Sequence, residues 1–213
     1  MKVKYLILLM IVGMSQSLFS QENNKFGLTF EYSPNYSKIT DEFVNAKFKL
    51  SHNILLRISY KAHEKINPTI GLGFLNPGEL FQTEIVGDSE FESLMFIHSN
   101  NYMYVPFGVK INLDQFYFLP EIGLGINISN TTKQFIKYSN GDTEIKWRDQ
   151  SLINGKFNKL SIPISLSVGK DYKFDCISLS AGIKGYYGLN QVVNGVSRDT
   201  HYFGIGVMIA IHF

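Results

Sequence analysis

Cysteine is nearly absent from this 213-residue chain, where Cys176 stands alone. No internal disulfide can form, so disulfide scaffolds, CxxC redox chemistry and cysteine-based zinc modules are excluded. Tryptophan occurs once and proline six times. An excess of either charge is missing too. The formal net charge of +2 comes from Lys2 and Lys4; residues 1–20 hold no acid, and the rest of the chain carries 18 basic and 18 acidic side chains. A neutral body exerts no bulk electrostatic pull on nucleic acid, and no nucleic-acid partner is expected. Beyond Gln21 no run of eighteen apolar residues occurs, so no helix can cross a bilayer there.

What the chain does have is 17 Phe, 12 Tyr and 18 Gly, a mixture that favours strands over helices. Its first twenty residues read as a targeting segment. Lys2 and Lys4 open it, Tyr5 to Met14 form a short apolar core, and Ser15 to Ser20 make a polar exit. This is the plan of a cleaved secretory signal peptide, 1–20, with the body of the protein at 21–213.

That body alternates with period two. From Phe116 onward, Phe118, Pro120, Ile122, Leu124, Ile126 and Ile128 share one face, while Tyr117, Leu119, Glu121, Gly123, Gly125, Asn127 and Ser129 share the other. The same split recurs around 26–33, 54–61, 69–74, 103–113, 160–169, 177–184 and 203–213. Eight strands result, several long enough to cross a bilayer when tilted. Short turns at Glu64-Lys65-Ile66, Asp114-Gln115 and Asp171-Tyr172 alternate with long polar stretches near 34–51, 77–99, 131–157 and 189–200. Short turns on one side and long loops on the other are expected of a transmembrane barrel.

The two faces decide which side meets water. One is bulky and apolar; the other is Gly, Ser and Asn with a few charges. Packing the bulky face inward would overfill an eight-stranded barrel, whereas turning it outward meets lipid and leaves small residues for a narrow lumen. The fold expected is therefore all-β: an eight-stranded antiparallel up-and-down transmembrane β-barrel in an outer membrane, its outer surface in contact with membrane lipid.

Five charges fall on the inward face: Glu31, Arg57, Lys110, Glu121 and Lys184. Unpaired charge in a narrow lumen is costly, so these should pair. Glu31 and Arg57 sit at comparable heights on consecutive strands. A two-residue turn at Asp114-Gln115 sets Gly108 opposite Glu121, making Lys110 a diagonal neighbour of Glu121. With Tyr104, Leu119 and Tyr186, these side chains should fill the lumen. The pairs Gly71/Gly73, Gly123/Gly125 and Gly204/Gly206 lie mid-strand and do not continue as GxGxxG, so they read as small lumen residues and not a nucleotide site. The histidines show no ligand spacing, His98-Ser99 lacks a third partner, and GxSxG is absent; neither an enzyme, a metal nor a cofactor is expected. In the stretch 131–157, Trp147 and Arg148 are the candidates for an external contact with a protein or with lipopolysaccharide phosphates.

Several segments carry a family likeness. The leader ends Phe-Ser-Gln, and YMYVPFGVKINL (102–113), FLPEIGLGINI (118–128) and KLSIPISLSVG (159–169) lead to a last strand closing on Phe213. The chain resembles the OmpA-like outer-membrane β-barrel proteins abundant in Bacteroidota, of the type that includes PorT-like and OmpX-like barrels. That resemblance implies an outer-membrane address and one barrel domain. It also implies that Phe213 serves as the signal read by the barrel-assembly machinery. It implies no single activity: a structural or interaction role, a narrow channel, a place in a secretion complex and a lipid-modifying enzyme all remain open.

Overall fold

A computed structural model describes residues 25–40, 47–84, 90–148, 156–174, 177–194 and 200–213. The expected signal peptide, 1–20, and Cys176 lie outside these residues. Thirteen strands are described: β1 (Phe26–Thr40), β2 (Lys47–Tyr60), β3 (Ile66–Leu75), β4 (Gly78–Glu84), β5 (Phe91–Leu113), β6 (Phe116–Tyr138), β7 (Thr143–Arg148), β8 (Lys156–Phe157), β9 (Leu160–Ser161), β10 (Pro163–Lys173), β11 (Ser178–Gly188), β12 (Val193–Asn194) and β13 (His201–His212).

Eight of them close a ring. β1 pairs β2, β2 pairs β3, β3 pairs β5, β5 pairs β6, β6 pairs β10, β10 pairs β11, β11 pairs β13, and β13 returns to β1, every pairing antiparallel. At the seam Phe213 exchanges backbone hydrogen bonds with Leu28, at 2.9 and 3.3 Å. The turn after β5 holds Leu113 opposite Phe116 and Gly108 opposite Glu121. Asp114 there adopts φ 39°, a left-handed conformation that Asp tolerates better than most residues. One interruption has a clear cause. Pro163 has no N–H to give β6, and β9 and β10 separate just before it. Ile162 faces the other neighbour, its N–H going to Asn190 Oδ1 (2.7 Å) and its carbonyl accepting from the Leu189 N–H (2.9 Å).

The wall is inverted relative to a soluble barrel. Ile122, Leu124, Ile164, Ile183 and Ile205 face outward, with Leu124 61 % exposed, while Glu31 and Lys184 inside are 1 % and 2 % exposed. Exposed aromatics rim the belt: Phe26, Tyr60, Phe116, Tyr172 and Phe174 at the turn side, Tyr36 and Phe48 at the other. Such girdles sit where membrane meets water. The outward apolar run Phe116 to Ile128 covers about 28 Å of height at ~3.3 Å per residue and a ~45° tilt, close to the hydrocarbon thickness of a bilayer. Even His52 on this wall is satisfied, its Nδ1 lying 2.7 Å from the Tyr32 hydroxyl.

Three sequence expectations need correcting. The stretches 34–51, 77–99 and 131–157 are to a large extent strands, not loops. β5 and β6, 23 residues each, would rise roughly 50 Å at that tilt, well beyond the ~30 Å bilayer core. Ladder pairing needs only an adjacent strand edge, so strands continue above the membrane once their outward positions are no longer required to be apolar. Ser129 does not share the lumen face with Asn127. A bulge there, where Asn101 pairs Ser129 and Tyr102 pairs Asn127, inserts one residue and reverses the parity beyond it. The turn expected at Asp171-Tyr172 falls later: β10 runs through both residues, and the Phe174 N–H bonds the Ile177 carbonyl.

Candidate functional site

Parity along four strands brings four charged side chains to one level of the lumen. Glu31 comes from β1, Arg57 from β2, Glu121 from β6 and Lys184 from β11, all buried. Arg57 Nη1 donates to Glu31 Oε2 (2.9 Å), and Nη2 and Nε donate to Glu121 Oε1 (2.8 and 3.1 Å). From the opposite wall, Lys184 Nζ donates to Glu31 Oε1 (2.7 Å) and Glu121 Oε2 (3.2 Å), which also accepts from Ser165 Oγ (3.1 Å). Acid and base alternate around a closed square with no net charge. Every carboxylate oxygen is engaged, the condition under which burying ions is tolerable.

The fifth charge goes elsewhere. Lys110 was expected beside Glu121, but its Nζ lies 2.6 Å from Asp171 Oδ2 and 4.2 Å from the centre of the Tyr117 ring. Glu121 is already saturated by cations reaching across the lumen, and Asp171, on β10 and not in a turn, offers an unclaimed oxygen. The two corrections are linked: the β10–β11 ladder runs on through Asp171, and its strand position turns the carboxylate to Lys110 and Ser180.

That neighbourhood holds residues whose roles sequence reasoning missed. Ser180 Oγ donates to Asp171 Oδ1 (2.5 Å) and contacts His212 Nε2, while His212 Nδ1 lies 2.8 Å from Thr29 Oγ1. The trio has the composition of a hydrolase triad but not its polarity. An ionised Asp171 only accepts, so the Ser180 proton points to it and Nε2–H of His212 must donate to Ser180. A nucleophilic serine hands its proton to the imidazole, whereas here the hydroxyl is turned to the carboxylate. Ser180 and His212 do stand on the inward parity of their strands, which was the available signal. His98 and Ser99 are split by the same parity: His98 turns inward to Thr132 and Asn100, and its neighbour faces the other way. Among the described residues no group of three or more His, Cys, Asp or Glu could hold a metal.

Packed layers flank the charged square. On the outer side lie Tyr102, Tyr104, Tyr186 and Tyr202, with the Tyr186 hydroxyl donating to Asn35 Oδ1 (2.7 Å). A Cβ on Gly204 would collide with the Tyr186 ring at 2.4 Å, so this glycine is what lets the ring lie across its partner position on the adjacent strand. On the turn side lie Tyr117, Leu119 and Met208. The cavity beside the square measures about 10 Å³, room for one water.

Above the membrane, β4, β5, β6 and β7 continue as a lobe, paired in that order. Ion pairs here are exposed: Lys137–Glu92 (2.7 Å) and Lys146–Glu144 (3.1 Å). The Tyr138 hydroxyl donates to Glu144 Oε2 (2.7 Å), which holds the Glu144 carboxyl below its ordinary range and the Tyr138 phenol above its own. Trp147 and Arg148, expected in a loop, are the last two residues of β7, opposite Lys133 and Thr132.

No protein-family model matches the chain. No curated protein matches its sequence. Among solved structures, the chain is similar to Ail, the attachment invasion locus protein of Yersinia pestis, at 10% identity and TM-score 0.46, over 89% of this chain and 99% of that one. It is also similar to Neisserial surface protein A, at 10% identity and TM-score 0.38, over 89% and 97%. The outer membrane protein OprG from Pseudomonas aeruginosa is similar at 12% identity and TM-score 0.34, over 88% and 93%. The architecture stands on the hydrogen-bonded ring of strands itself.

Proposed function

We propose that this chain is a bacterial outer-membrane barrel that conducts no solute, catalyses no reaction and acts through its outer lobe. The observation that carries this reading is the closed square of Glu31, Arg57, Glu121 and Lys184, buried inside a wall whose outside is apolar. A wall of that kind needs lipid around it, and a lumen blocked at mid-height by ions and tyrosines gives solutes no passage. Two strands extended far beyond the bilayer, the second of them paired with β7, which ends on Trp147 and Arg148, make the lobe the surface for a protein or lipopolysaccharide partner. Phe213, paired to Leu28 at the seam, is the residue offered to the barrel-assembly machinery. The hydrogen-bond polarity at Ser180 argues against hydrolysis.

Purified barrel should need detergent to remain dispersed, should migrate differently on gels before and after boiling, and should show no steady conductance in planar bilayers. Dispersion in plain buffer would sink the membrane assignment. A stable conductance that changes with Arg57 or Lys184 substitutions would make the protein a narrow channel instead.

A further inference from the structure

The turn-side end of the lumen is hollow. A cavity of about 90 Å³ opens there, against about 10 Å³ beside the charged square, so it holds several water-sized groups where the middle holds one. Its rim is reachable from solvent, since the Lys110, His212 and Asp171 side chains are partly exposed.

The polar groups around it are unbalanced. The carboxylate oxygens are claimed: Glu31 accepts from Arg57 and Lys184, and Asp171 from Ser180 and Lys110. His212 is engaged through both ring nitrogens. Donors are left over. Thr69, 7 % exposed, has a hydroxyl with no hydrogen-bond partner. Arg57 has five N–H groups and spends three on carboxylates; Lys110 has three and spends one on Asp171. A buried hydroxyl without a partner is costly, and native structures usually supply one.

We infer that this vestibule binds a small oxyanion of the phosphate type, held by Thr69, Lys110 and Arg57. Guanidinium and ammonium donors form the strong, short bonds that phosphate oxygens accept, and a neutral hydroxyl completes the set. The site lies inside the ring of strands, so a free ion reaches it and a lipid headgroup anchored in the bilayer does not. Because the fixed charges nearby cancel in pairs, binding is weak. The inference is independent of whether the lumen conducts, because the vestibule opens on the turn side of the block.

The test uses the full folded barrel, isotope-labelled, in a non-ionic detergent. It is titrated with sodium phosphate, with sodium chloride of equal ionic strength as the counter-arm. Backbone amide signals of Thr69, Lys110 and His212 should shift and saturate with phosphate and not with chloride. Thr69→Val, which keeps volume and charge, should weaken the site about five- to tenfold, the worth of one net hydrogen bond. Lys110→Met should weaken it further. Asp171→Asn should strengthen it, because it frees Lys110 from its competing anion. Absence of saturation, identical shifts with chloride, or an affinity indifferent to all three substitutions would overturn the site.

Discussion

The lumen and the outer lobe use the same ion-pair chemistry under opposite conditions. In the lumen, Lys184 and Glu31 are 153 residues apart in sequence, buried and 2.7 Å apart. In the lobe, Lys137 and Glu92 face each other at the same 2.7 Å with about half of each side chain exposed. Distance alone therefore says nothing about worth. A buried pair forms only because desolvated ions must be neutralised, and losing one partner strands the other; an exposed pair returns both partners to water at little cost.

The largest effect should come from breaking the square. Lys184→Met leaves two buried carboxylates against one guanidinium and should destabilise the folded barrel by about 3–5 kcal/mol, read from the urea midpoint of the unboiled gel band. Adding Glu31→Gln restores neutrality, with Arg57 still on Glu121, and should recover much of that loss. Strictly additive losses would show that the four residues do not form one unit.

A smaller effect separates the two possible partners of Lys110. Lys110→Met should cost about 1–2 kcal/mol, because the pair is only partly buried. A double-mutant cycle should find coupling with Asp171→Asn and none with Glu121→Gln. Coupling to Glu121 instead would restore the neighbour expected from strand register alone.

The smallest effect belongs to the lobe. Lys137→Ala should change stability by less than about 1 kcal/mol. Trp147→Ala with Arg148→Ala should leave assembly intact and weaken whatever the lobe contacts. A lobe substitution as damaging as Lys184→Met would erase the distinction between the two regions.

Period-two alternation was enough to place all eight staves, their inverted faces and the register of the β5–β6 hairpin, because both faces of a thin wall impose opposite demands at every second residue. It also marked Glu31, Arg57, Glu121 and Lys184 as inward. It failed where those demands lapse. Above the bilayer, residues such as Thr131, Lys133 and Lys137 need not be apolar, so the extensions of β5 and β6 resembled loops. At Ser129 a bulge reversed the parity, which no local pattern announces.

Sequence by itself thus marked the four charges of the square and most of the other lumen residues, since facing direction follows from position along a strand. Which of them touch was decided only by closure of the ring. Closure brought Lys184 of β11 onto Glu31 of β1 and Glu121 of β6, saturating both acids and sending Lys110 to an aspartate that looked like a turn residue. Partners across a lumen are set by the curvature and stagger of all eight strands together, a property that no single strand carries.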